Sequence, residues 1–137
     1  MKTQHWLVKS EPESYSWKTF QQDGHTAWTG VRNYQARIHL NTMRTGDHVL
    51  FYESVSTKAV VGLAKVTKPA FPDTTADEPG WVAVEITADR ALARPVTLAE
   101  IKAVPALATI GLIRQSRLSV VPLAAAEFKR IVALGST

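Results

Sequence analysis

The ten residues Trp28-Thr29-Gly30-Val31-Arg32-Asn33-Tyr34-Gln35-Ala36-Arg37 bring together two aromatics, two arginines, an asparagine and a glycine. Flat rings stack on planar ligands, side-chain amides read a hydrogen-bonding edge, and guanidinium groups hold phosphate. That set suits a nucleobase better than a metal, a sugar or a lipid. Trp28 is the natural platform, because base-on-aromatic stacking is worth roughly 1–3 kcal/mol. Gly30 beside it allows close approach of the backbone. The same indole could instead plug a core, since tryptophan is mostly buried on average.

Other segments carry groups of the same kind. Lys9, Ser10 and Glu11 end an apolar run just ahead of Pro12. Ser10 and Glu11 can read a base edge with Lys9 near a phosphate, or all three can belong to a polar turn that satisfies local backbone groups. Asn33 is either a plain helix cap or, with Arg32, part of a phosphate site at a helix N-terminus. Arg37 falls further round, on the solvated side. Tyr34 and Tyr52 are candidate second walls of an aromatic pocket, with ordinary core packing as the alternative. Ser116, Arg117 and Ser119 form a polar, cationic strand start, suited to phosphate contacts or to pairing with a loop carboxylate.

Metal and nucleophilic chemistry find less support. His5, His25, His39 and His48 share no i, i+4 or clustered spacing, so no metal and no cofactor is expected. There is no cysteine, G-x-S-x-G elbow or P-loop, and no catalytic residue is assigned. The missing cysteines exclude disulfides and fit a reducing compartment, so a cytoplasmic location is expected. Residues Met1–His5 carry one lysine and no apolar run, and no stretch approaches the ~18 apolar residues of a membrane span. Neither export nor a membrane partner is expected.

Charge points the same way as the motifs. Residues 1–68 hold nine Lys/Arg against five Asp/Glu, while residues 69–137 hold seven of each. All of the net +4 therefore lies in the half that carries Trp28. A basic bias of this kind favours a polyanionic partner.

The elements that must position these groups follow from pattern and punctuation. His5–Val8 reads as a buried strand. Ser16 caps a short helix through Phe20 that stops at Asp23-Gly24, and a second helix runs from about Asn33 to Met43 with Ala36, Leu40 and Met43 inward. After the Arg44–Asp47 turn, His48–Val55 and Ala59–Thr67 read as strands apolar on both faces, which calls for a closed or covered sheet. Pro69–Gly80, with three prolines, reads as a loop, and Trp81–Asp89 alternates as a strand. Thr97 and Glu100 form a capping box for a short helix through Lys102. Leu118–Val121 is a strand, Pro122 precedes a last helix striped by Phe128, Ile131 and Val132, and Gly135 stops it. Residues 1–137 are expected to form one α+β domain around a small, strongly curved sheet.

Four segments in this order and spacing resemble the EVE domain. They are Trp6–Pro12, Trp28–Arg37, Gly46–Tyr52 and Arg114–Val120, and together they span nearly the whole chain. The resemblance, which extends to single-domain bacterial members, implies a PUA-like fold, a curved β pseudo-barrel with flanking helices. Related folds include the YTH and SRA-type readers, which hold a modified base in a pocket. It further implies a non-catalytic module that reads a modified base, modified cytosine above all, in DNA or RNA. One departure stands out: Glu53-Ser54 follows Phe51-Tyr52 where the family often has His-Ser. An acid there would repel phosphate if it faced the site.

The expected mechanism is a flipped base entering a pocket walled by Trp28 and a tyrosine, Tyr34 or Tyr52. Ser10, Glu11, Asn33 and the backbone at Gly30 and Val31 would read its edge. Lys9, Arg32, Ser116, Arg117 and Ser119 would hold the flanking phosphates. Two rivals stay open: a module for a free nucleotide or other planar small molecule, and an enzyme acting on modified nucleosides.

Overall fold

Trp6, Leu7 and Val8 are consecutive and all buried, the mark of a strand covered on both faces. They belong to β1 (His5–Ser10), which pairs in parallel with β3 (His48–Glu53) from His5↔His48 to Ser10↔Glu53. A parallel neighbour cannot be reached through a tight turn. The chain crosses over between them through α1 (Trp17–Asp23), β2 (His25–Ala27) and α2 (Tyr34–Thr42). A long antiparallel pair follows, β4 (Ala59–Pro72) and β5 (Val82–Thr97). The C-terminal part holds α3 (Leu98–Lys102), a 3-10 turn at Pro105–Leu107, α4 (Gly111–Arg114), β6 (Val120–Leu123) and α5 (Ala125–Leu134). This computed structural model describes residues 3–115 and 117–136.

The strands form one sheet in the order β2-β5-β4-β3-β1-β6. The β4–β5 register shifts at Val60/Gly62, Leu63/Ala64, Val66/Lys68 and Lys68/Phe71. Each irregularity adds local twist, so the sheet curls around Phe20, Leu50, Phe51 and Ile86, all fully buried. The caps fall where the sequence puts them. Ser16 accepts from the Thr19 N–H, Asn33 from that of Ala36, and Thr97 and Glu100 close their box reciprocally.

Several boundaries differ from expectation, and three of the differences follow from bulges or prolines. β4 does not stop at Thr67 but runs to Pro72, because Pro69 falls inside the Lys68/Phe71 shift, where a ladder donor is not needed. β5 continues past Asp89 to Thr97 for the same reason: its bulges break the alternation that marks a strand. β6 starts at Val120 and contains Pro122 opposite Trp6, which a sheet edge tolerates. The four-residue α4 is too short to leave a period in the sequence.

Candidate nucleic-acid interface

Trp28 directly follows β2, and its N–H donates to the Val84 carbonyl at 2.7 Å. That bond ties the indole to the sheet. The ring stands edge-on to Phe51 (5.8 Å, 86°) and to Tyr15 (6.4 Å, 76°) and is 9% exposed. The remaining access opens onto a cavity of about 440 Å³, lined among others by Lys9, Ser10, Glu11, Tyr15, Thr26 and Ser119. Packing and cavity lining are thus combined in one ring.

The segment after Trp28 is fastened by a buried carboxylate. Asp73 accepts from the Gly30 N–H and Arg32 Nη1, both at 2.9 Å, and from the N–H and hydroxyl of Thr75 at 2.8 and 2.6 Å. Burial alone would raise its pKa. The hydrogen bonds from Thr75, Gly30 and Arg32 outweigh that and hold the carboxyl well below the usual carboxylate range. Gly30 sits at φ 83°, in the left-handed region, while a Cβ there would meet nothing within 4 Å. It is needed for its conformation rather than for the close approach expected of it. Arg32 lines the cavity, but it is committed: Nη1 also donates to the Val31 carbonyl, and Nη2 to the Thr75 hydroxyl. It buckles the loop before it can serve a phosphate.

Elsewhere in the lining, the Ser10 hydroxyl donates to the Tyr15 carbonyl at 2.6 Å, which leaves its lone pairs for a donor in the cavity. Lys9 is half-buried, and burial lowers its pKa. The second aromatic of the cavity is Tyr15, whose hydroxyl donates to Asp23 at 2.8 Å. Burial pushes that phenol up. Tyr15 does not stand out by chemistry. One signal could have found it: it directly precedes the Ser16 cap and packs against Phe20 in the first helical turn (6.1 Å), a hydrophobic staple.

Ser119 joins this cavity, but the structure does not bring Tyr34, Asn33, Tyr52 or Arg117 to it. Tyr34 is 68% exposed and lies against Trp81 (5.2 Å, 31°), because the α2 start points it outward. Arg37 is not simply solvated: its guanidinium lies 4.9 Å from Tyr34 and 4.8 Å from Trp81 and donates to the Gly80 carbonyl. Asn33 spends its side-chain oxygen on capping α2 at 2.9 Å, and it borders a shallow hollow with Gln35, Gln115 and Arg117. Tyr52 is buried at the floor of a separate cavity that also takes Arg117, while Ser119 borders both cavities. Ser116 lies outside the described residues. Glu53 faces α1 instead of a phosphate, accepting from the Trp17 N–H at 2.8 Å. Among the described residues, no group of three or more His, Asp or Glu could hold a metal ion.

Comparison with known proteins agrees with this fold. The EVE domain profile matches residues 4–134. Thymocyte nuclear protein 1 of Homo sapiens is 34% identical over 95% of this chain and 73% of its own length. A Rhodopseudomonas palustris protein solved by NMR superposes with a TM-score of 0.92 at 44% identity, covering 97% of this chain and 93% of that one. Human THYN1, crystallised in complex with DNA containing 5-methylcytosine, superposes with a TM-score of 0.92 at 32% identity, covering 98% and 99%. With its curled sheet, its flanking helices and these relatives, the chain belongs to the EVE domain family and has a PUA-like fold.

Proposed function

We propose that this protein is a non-catalytic module that takes a modified cytosine of DNA into the cavity on Trp28. The observation that carries the reading is the cavity itself: about 440 Å³, lined by Trp28 and Tyr15 together with Lys9, Ser10 and Glu11. A volume of that order lies within the ~300–1,000 Å³ range of small-ligand pockets. The human relative bound to 5-methylcytosine DNA supplies the ligand class.

Cytosine presents an exocyclic amino group, a donor. Ser10, with its own hydrogen already given to Tyr15, and the Glu11 carboxylate are acceptors on the cavity wall. Trp28 offers the stacking surface and Val31 an apolar contact for a 5-substituent. A flipped base surrenders its neighbours' stacking, and the aromatic contact offsets that loss. One methyl changes apolar burial only slightly, so discrimination of about 1–3 kcal/mol is the realistic scale.

The test is a panel of otherwise identical oligonucleotides carrying cytosine, 5-methylcytosine or 5-hydroxymethylcytosine, titrated with native protein and with Trp28→Ala at two salt concentrations. The expected result is a preference for one modified base that Trp28→Ala abolishes, on top of binding that weakens with salt. A flat panel, or a preference untouched by Trp28→Ala, overturns the reading. Binding that ignores salt would favour a free planar ligand instead. Turnover of the base on mass analysis would favour an enzyme.

A further inference from the structure

The second cavity, floored by Tyr52, has no role in the reading above. It is about 430 Å³, and its lining includes Lys9, Glu11, Tyr52, Lys58, Arg117 and Ser119. Lys9, Glu11 and Ser119 also line the Trp28 cavity, so the two share a wall. We propose that this cavity receives the phosphodiester next to the inserted base, so that one strand crosses the shared wall and engages both cavities.

Three independent features support an anion there. First, three cations, Lys9, Lys58 and Arg117, face one carboxylate, Glu11, and the lining carries a net charge of +2. Neither Lys58 nor Arg117 has an ion pair among the described residues. Second, Tyr52 lines the cavity, and its hydroxyl makes no hydrogen bond with any described residue, so it is a donor open to a ligand there. A phosphate oxygen is an acceptor that would meet it together with Lys58 and Arg117. Third, the β3–β4 turn holds two residues in the left-handed region, Val55 at φ 67° and Lys58 at φ 50°, and both line the cavity. For β-branched valine this conformation is a true outlier, and such strain persists where the surroundings fix a particular geometry. Here it fixes the rim that carries Lys58.

The occupant follows from the shared wall. A base that enters the Trp28 cavity from a strand brings its own phosphates with it, and Lys9 and Ser119 already border both spaces. The inference therefore rests on the base occupying the Trp28 cavity, and its test must separate the two.

The first arm follows backbone amide resonances while inorganic phosphate is added to the native protein. Saturable shifts are expected at Val55, Lys58, Arg117 and Ser119, and they should be lost in Arg117→Gln. No shift there overturns the proposal. The second arm uses the preferred modified oligonucleotide with an uncharged methylphosphonate replacing the phosphate on either side of the modified base. Native protein should bind one of the two about tenfold more weakly. Arg117→Gln should bind the charged oligonucleotide with a similar loss and a salt slope shallower by about one, and should be indifferent to the replacement. Tyr52→Phe removes only the unpartnered hydroxyl, so it keeps the fold while weakening the charged oligonucleotide. In all three proteins the ratio of modified to plain binding should be unchanged.

Indifference of the native protein to methylphosphonate at both positions, with its base preference intact, overturns the phosphodiester assignment and leaves the base reading standing. Phosphate shifts without any base preference fell the base reading and the strand assignment with it, leaving a free-anion site.

Discussion

Trp17 and Trp28 pack against the same ring, with centroids 5.4 and 5.8 Å from Phe51, and are 7% and 9% exposed. By burial they are indistinguishable. Their second faces are not. The Trp17 indole lies so close over Gly62 that a Cβ at that position would run into its six-membered ring. Its Nε1 is buried without a partner among the described residues. Trp28 instead opens onto a cavity that Lys9, Ser10 and Glu11 also line. Whether a buried tryptophan is a plug or a platform is decided by what covers its far face, and the fraction exposed says little about it.

Substitutions can break this contrast. Trp17→Ala should be the most damaging, losing about 3–5 kcal/mol in urea denaturation, because a large ring leaves a closed core. Trp28→Ala should sit at or below the bottom of that range, near 3 kcal/mol, since one side of its ring already faces open space. It should in addition remove the ~1–3 kcal/mol that stacking contributes to binding a base. If Trp28→Ala cost more stability than Trp17→Ala and left oligonucleotide binding intact, the two rings would have been assigned the wrong way round. Gly62→Ala comes next. It forces the Trp17 ring to shift, with an overpacking loss of about 1–3 kcal/mol. Binding per folded molecule should stay within about twofold, because neither Gly62 nor Trp17 lines the Trp28 cavity.

The contrast also marks what the sequence could convey. Helix caps are local: Ser16, Asn33 and Thr97 each satisfy a donor three residues on, so the pattern that predicts them is the one that makes them. Strand cores were legible for the same reason in Trp6–Val8. Bulged strands were not, because the shifts that carry β4 past Pro69 erase alternation. The cavity was half legible. Trp28, Lys9, Ser10 and Glu11 belong to short motifs with recognisable chemistry. Tyr15 reaches the site only through a staple on Phe20, and Asp73 only through a loop that returns 43 residues after Gly30. Tyr34 and Tyr52 have the right chemistry and the wrong direction, which a helix start and a strand face determine and a residue type does not.

Two depressed carboxylates give the smallest and sharpest test. Asp73 is buried beside the Trp28 cavity and holds the Gly30–Arg32 segment, whereas Glu100 is held at about 2 chiefly by Arg94 and then by the Thr97 N–H at the surface. In both, the folded pKa lies below the unfolded one, so the unfolded chain takes up its proton first as pH falls. The stabilisation is therefore complete above the ordinary carboxylate values and disappears as pH drops through the folded ones. Asp73→Asn should lower stability at neutral pH by about 1–2 kcal/mol, and that deficit should shrink on acidification below the ordinary value of 3.8. It should also weaken base binding, because the Gly30–Arg32 backbone forms part of the cavity wall. Glu100→Gln should alter stability marginally, as an exposed pair is screened by solvent, and should leave binding unchanged. Urea melts and oligonucleotide titrations of both variants down the acid range separate the two outcomes. If Glu100→Gln weakened binding as much as Asp73→Asn, the link between the Asp73 buckle and the cavity would be lost, and Trp28 would stand in a wall that does not depend on its own loop.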